Sequence, residues 1–173
     1  MNGLSRVAQI NSKSKGNTFE RKIANLLSAR FAALTGIKNG FRRSESSGSF
    51  FGGRNQARVV SHDLGKASFG DIICPNNFRY AIECKHYKTP PNLLGLITNQ
   101  IADWDRWIVQ ATQDCSNAGK RMAIIVKYNN LKEIVILGEM PAGIACFVHY
   151  KTRFVISLDT FLSFADGEFF ATD

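Results

Sequence analysis

Asp71, Glu83 and Lys85 are the residues of this 173-residue chain whose types and spacing could do chemistry together. Residues 79–85 read as a strand, in which successive side chains face opposite ways, so Ala81, Glu83 and Lys85 share one face and Tyr80, Ile82 and Cys84 the other. On their own, Glu83 and Lys85 would be an ordinary ion pair on a solvated sheet. Asp71 alone would be a turn aspartate bonding its own backbone. Together they say more, because Asp71 opens a preceding strand over 71–74 and the turn at Pro75-Asn76-Asn77 folds it back toward Glu83. Converging carboxylates repel one another unless a cation sits between them, and hard oxygen donors suit Mg²⁺ or Mn²⁺. Such a site binds a water and a phosphate oxygen together, acidifying the water and stabilising charge that develops on phosphorus. Lys85 would orient the nucleophile or neutralise the transition state.

Glu20 is a fourth candidate with two readings. Asn17 three residues before it matches a capping box at a helix start. On a helical wheel, however, Glu20 falls at the margin of the apolar arc near Leu27, where it can point along the sheet. Arg42 and Arg43 precede the run from Ser44 to Ser49, and guanidiniums followed by hydroxyls and glycine suit phosphate; a solvated turn is the plain alternative. His62, His86 and His149 have no mutual spacing for a metal or a nucleophilic triad and receive no role. Trp104 and Trp107 read as helix residues packed on the sheet, Gln100 before them could face the site, and Asp103 and Asp105 read as solvated.

The elements that must hold these residues follow from periodicity. Phe19, Ile23, Leu26, Leu27, Phe31 and Leu34 predict an amphipathic helix over 17–34 stopped by Gly36. A short strand is expected at 40–44, then a polar, glycine-containing stretch over 45–70 that is too long for ordinary connection; Arg54, Arg58, His62 and Lys66 fit it to DNA contact. After the hairpin, a helical region over 93–118 with a possible break leads to a β-branched strand at 122–128. Further strands near 133–137, 145–149 and 153–156 and a last helix from Asp159 complete a mixed α/β domain, a central sheet flanked by helices. Residues 1–16, with Lys13 and Lys15 among Ser, Asn and Gly, are expected to form a mobile basic arm ahead of a single domain over 17–173.

The chain carries 22 Lys and Arg against 14 Asp and Glu, net +8, the footprint of a phosphate-bearing partner. It has neither the basic amphipathic helix of a membrane binder nor an apolar run of the ~20 residues a span requires, so no membrane partner and a cytoplasmic setting, prokaryotic or viral in a host, are expected. Cys74, Cys84, Cys115 and Cys146 lack zinc spacing and read as reduced thiols.

The ordered set Lys15-Gly16, Phe19-Glu20-Arg21, Gly40-Phe41, Arg43, Ser47-Gly48-Ser49, Gly70-Asp71-Ile72-Ile73 and Ile82-Glu83-Cys84-Lys85 resembles the archaeal-type Holliday junction resolvases of the PD-(D/E)xK nuclease superfamily, over roughly residues 13–128. The resemblance implies a restriction-endonuclease-like core and a homodimer that nicks four-way DNA junctions in pairs, with one divalent-metal site per subunit. It implies that Asp71 and Glu83 bind metal, Glu20 completes the site, Lys85 is the motif lysine, Arg43 the strand arginine, and Ser47 or Ser49 the serine near the scissile phosphate, with Lys15 and Arg21 on the DNA side. This sequence departs from the pattern in the 22 positions separating Ser49 from Asp71, in the extra region after Tyr128, and in having Pro75 after the strand rather than a proline just before Asp71. A restriction-like or repair nuclease on duplex or mismatched DNA, and a non-catalytic DNA-binding module of the same fold, are the alternatives.

Overall fold

A computed structural model describes residues 12–44 and 70–171, with Ser12 and Lys13 described in backbone only. Helix α1 (Ser12–Arg30) is followed by a single-turn α2 (Ala32–Thr35), and Gly36 ends it in the left-handed region at φ 64°. The helix therefore begins earlier than the 17–34 expected, and residues 12–16 are its first turns. Strand β1 (Arg42–Arg43) precedes β2 (Ile72–Ile73) and β3 (Tyr80–Tyr87). The helical region divides into α3 (Leu93–Ile97) and α4 (Ala102–Ala118), broken at Asn99, whose φ is 56°. Then come β4 (Arg121–Tyr128), β5 (Ile134–Leu137), β6 (Val148–Tyr150), β7 (Arg153–Ser157), α5 (Leu158–Leu162) and α6 (Asp166–Phe169).

The main sheet runs β3-β4-β5-β7-β6, with β3 parallel to β4 and the other pairs antiparallel. The parallel β3–β4 pair requires a crossover, which α3 and α4 provide. Period-two alternation sorts the sheet's side chains into two cores. Tyr80, Ile82, Cys84, Ala123 and Ile125 meet Phe19, Ile23 and Leu27 of α1 and Phe31 just after it, while Ala81, Met122, Ile124 and Val126 meet Trp104, Trp107, Ala111 and Cys115 of α4. This is the α/β arrangement expected, a mixed sheet between helical layers. Among the described residues, no helix is long and apolar enough to cross a membrane.

The expected hairpin between the 71–74 and 79–85 strands is replaced by a different pairing. Residues Pro75 to Phe78 do turn, with the Phe78 N–H donating to the Pro75 carbonyl at 3.0 Å. Beyond the turn the C-terminal segment takes the hydrogen bonds: the Arg79 N–H donates to Phe169 O, and Phe78 bridges Phe170. Strand β2 pairs instead with β1, in the register Arg43 to Ile72. The reason is packing, because Phe78 is almost fully buried in a phenylalanine cluster with Phe31, Phe41, Phe169 and Phe170, which pulls the chain away from simple ladder geometry.

Candidate active site

Glu83 and Lys85 lie on the α4 face of β3, opposite Ile124 and Val126 of β4. Lys85 Nζ donates to Glu83 Oε2 at 3.1 Å, and both residues are largely enclosed. The other Glu83 oxygen, Oε1, is buried and accepts no hydrogen bond. A buried anionic oxygen without a donor is costly, so this atom is suited to a ligand that supplies positive charge.

Asp71 reaches the same place by way of β3's outer edge. Its N–H donates to Ile82 O at 2.8 Å, and its Oδ2 accepts from the Cys84 N–H at 2.9 Å, so the side chain caps the strand edge beside Glu83. Gly70 makes this approach possible. It adopts φ 89°, and a Cβ there would stand 2.5 Å from Ile82 O. Proline, locked near φ −65°, cannot adopt this conformation, which explains physically why the residue before Asp71 departs from the superfamily motif.

On the α1 side of the edge, Glu20 is buried and held by Arg43: the guanidinium Nε donates to Glu20 Oε2 at 2.6 Å and Nη2 to Asn17 Oδ1 at 2.9 Å. The capping-box alternative for Asn17 does not survive, since α1 begins at Ser12 and Asn17 sits within the helix. Backbone register places Arg43 here, through its pairing with Ile72 and the Ser44 N–H donating to Asp71 O at 2.8 Å.

Burial, and then the neighbouring charge of Glu83, push the Asp71 carboxyl up to about 7. Burial also raises Glu20, as does the charge of Asp71, with Arg43 and Lys85 offsetting part of the rise. Burial pulls the Lys85 ammonium down, but Glu83 and Asp71 more than reverse this, so its proton is held more firmly than usual. The three acids outnumber the two cations that face them. Among the described residues, no three His, Cys, Asp or Glu side chains form a ready metal cage. The residues fit a divalent cation in a more modest way: Asp71 and Glu83 are two crowded hard donors, one with an orphan oxygen, and Mg²⁺ is commonly held by one or two carboxylates with water and phosphate completing its shell.

Of the residues proposed to touch DNA, Lys15 of α1 lines a cleft of about 520 Å³ and Arg21 and Arg42 are exposed, while Arg43 is turned inward to Glu20. Ser47, Ser49, Arg54, Arg58, His62, Lys66 and the Lys13 side chain lie outside the described residues. Trp104 and Trp107 are buried against the sheet, and Gln100 is exposed in the break before α4, away from helical register. Sequence reasoning did not single out Asn17 as Arg43's second acceptor or the cleft's further lining, Phe19, Lys22, His86, Lys127 and Glu133. His86 projects to the α1 face beside Phe19, ring centroids 5.6 Å apart, with its Nδ1 buried and unbonded. Even-numbered alternation along β3 was the available signal for that placement.

A protein family described as "Phage putative PDDEXK endonuclease" matches residues 11–160. Among solved structures, Hjc from Archaeoglobus fulgidus, described as a Holliday junction resolvase from an archaeal hyperthermophile, aligns at 20% identity and TM-score 0.38 over 82% of this chain and 86% of that one. No curated protein matches significantly. The family match spans nearly the whole chain and contains every carboxylate of the site together with Lys85, and on that ground the chain belongs to the PDDEXK endonuclease family.

Proposed function

We propose that this nuclease is a Mg²⁺-dependent DNA endonuclease, with Mn²⁺ able to substitute, that acts as a homodimer on branched DNA and resolves four-way junctions by paired phosphodiester hydrolysis. The observation that carries the metal-dependent chemistry is the buried pair formed by Asp71, raised to about 7, and Glu83, whose Oε1 has no hydrogen bond. Two acids so crowded and so poorly satisfied call for a cation. When bound, that cation supplies Lewis acidity to a water and to a phosphate oxygen.

The chain's own residues do the rest. Asp71 and Glu83 would hold the metal, Asp71 giving up the proton that burial and Glu83 favour. Lys85 keeps its proton and stands 3.1 Å from Glu83, placed to orient the attacking water or to meet charge on the phosphate. The net charge of +8 and the cleft with Lys15, Lys22 and Lys127 supply a surface for the DNA backbone. Ser47 or Ser49, Arg54 and Arg58 from residues 45–70, and Lys13 at the start of α1, belong to the same proposal as phosphate contacts, in a cytoplasmic setting. Preference for junctions rests on the ordered motif set that resembles the archaeal-type resolvases.

The test is Mg²⁺-dependent cleavage of a synthetic four-way junction beside a linear duplex of the same sequence, with Asp71→Asn and Lys85→Ala as controls. Symmetric junction nicks lost in both variants are expected. Equal cutting of the linear duplex would sink the junction preference in favour of a duplex-cutting nuclease. DNA binding without cleavage by the wild type would sink the catalytic reading.

A further inference from the structure

Arg43 is the cation closest to Glu20, and its grip is two-pronged. Asn17 and Glu20 are three residues apart on α1, hence on one face, and both accept from the same guanidinium, at 2.9 Å and 2.6 Å. The ion pair is largely enclosed, with side-chain exposures of 20% for Arg43 and 9% for Glu20. Backbone pairing of β1 with β2 fixes Arg43 beside Asp71. Glu20 is thus near Asp71, whose charge it feels, yet commits Oε2 to a cation of the chain itself. The guanidinium occupies Glu20 Oε2, so a divalent ion on Asp71 and Glu83 cannot take that oxygen without displacing it. Planar guanidinium forks bind phosphate as well as carboxylate, so a DNA phosphate is a competitor for Arg43.

We infer that Asn17, Arg43 and Glu20 form a substrate-released latch, in which Arg43, positioned by Asn17, withholds Glu20 Oε2 from the metal until a nucleic-acid phosphate takes the guanidinium. Asn17 is a positioning residue here; it contacts neither metal nor DNA. The inference rests on the metal-dependent reading proposed above. Its consequence is linkage: DNA tightens metal binding by freeing Glu20, and metal tightens DNA binding by the same factor.

The experiment is Mn²⁺ titration calorimetry on the full chain without DNA, comparing wild type, Asn17→Ala, Arg43→Lys and Asn17→Ala combined with Glu20→Gln. Losing a charge-assisted hydrogen bond should loosen the latch, so Asn17→Ala is expected to bind Mn²⁺ about tenfold more tightly than wild type. Arg43→Lys, which keeps the charge but not the fork, is expected to move the same way. The double variant should lose the gain, since the freed group is Glu20. A merely structural role for Asn17 would weaken binding or leave it alone, not strengthen it. In a Lys85→Ala background that leaves the DNA uncut, a four-way junction should tighten Mn²⁺ binding more than it does when Glu20→Gln is also present. Wild-type Mn²⁺ affinity in both Asn17→Ala and Arg43→Lys, in a protein that binds Mn²⁺ and cuts DNA, overturns the latch alone. Absence of Mn²⁺ binding and of cleavage in the wild type, with or without DNA, overturns the metal-nuclease reading and the latch with it.

Discussion

Asp71→Asn should make the metal-free protein more stable at pH 8 while abolishing cleavage. Asp71 is 5% exposed, and its carboxyl is raised from 3.8 to about 7 by burial and by the charge of Glu83. A raised acid binds its proton more tightly when folded. Between roughly pH 4 and 7 the folded chain therefore carries more protons than the unfolded one, so this group's contribution to stability is fully present below pH 4 and is lost as pH rises through 7. At about 1.4 kcal/mol per unit, the ionised folded state at pH 8 bears a cost of roughly 4 kcal/mol. Relaxation of the site around the ionised carboxylate reduces what a substitution recovers, to about 2–4 kcal/mol. Asparagine keeps the shape and an oxygen to accept the Cys84 N–H, so little else is lost. For a chain of this size the gain is roughly 5–15 °C in melting temperature. Thermal melts in EDTA at pH 5 and pH 8 test it: the variant should exceed wild type at pH 8 and approach it at pH 5. Adding Mg²⁺ should close the gap at pH 8 by stabilising wild type alone. A variant less stable than wild type at pH 8, or an advantage equal at the two pH values, would refute the assignment of Asp71 as a crowded, proton-hungry acid.

Two further predictions concern the scaffold. Gly70→Ala should destabilise by roughly 2–4 kcal/mol in urea unfolding and weaken Mg²⁺ binding, because φ 89° disfavours a side chain and its Cβ would strike Ile82 O of β3; unchanged urea midpoints would refute the required close approach. Phe31→Ala removes a fully buried ring in contact with Phe41, Phe78, Phe169 and Phe170 and should cost about 3–5 kcal/mol by the same measurement.

Local pattern made much of this protein legible. Alternation along 79–85 put Glu83 and Lys85 on one face because a strand's side-chain period is two, and the spacing of Trp104 and Trp107 put both on the buried face of α4. The β-branched run before Tyr128 is β4, and the break expected within 93–118 falls at Asn99. Long-range decisions were not legible. Nothing local says that β1 pairs with β2 from across the intervening segment, or that the C-terminal phenylalanines take the hydrogen bonds a hairpin would have used. Asn17 and Glu20 matched a capping box in sequence, and only the earlier start of α1 and the arrival of Arg43 from a distant strand turned them into a clamp. The types and order of Asp71, Glu83 and Lys85 were determined by the sequence alone. Their electrostatic condition was decided by the tertiary structure, because burial and the nearness of other charges, which together raise Asp71 to about 7, exist only once separate segments have packed together.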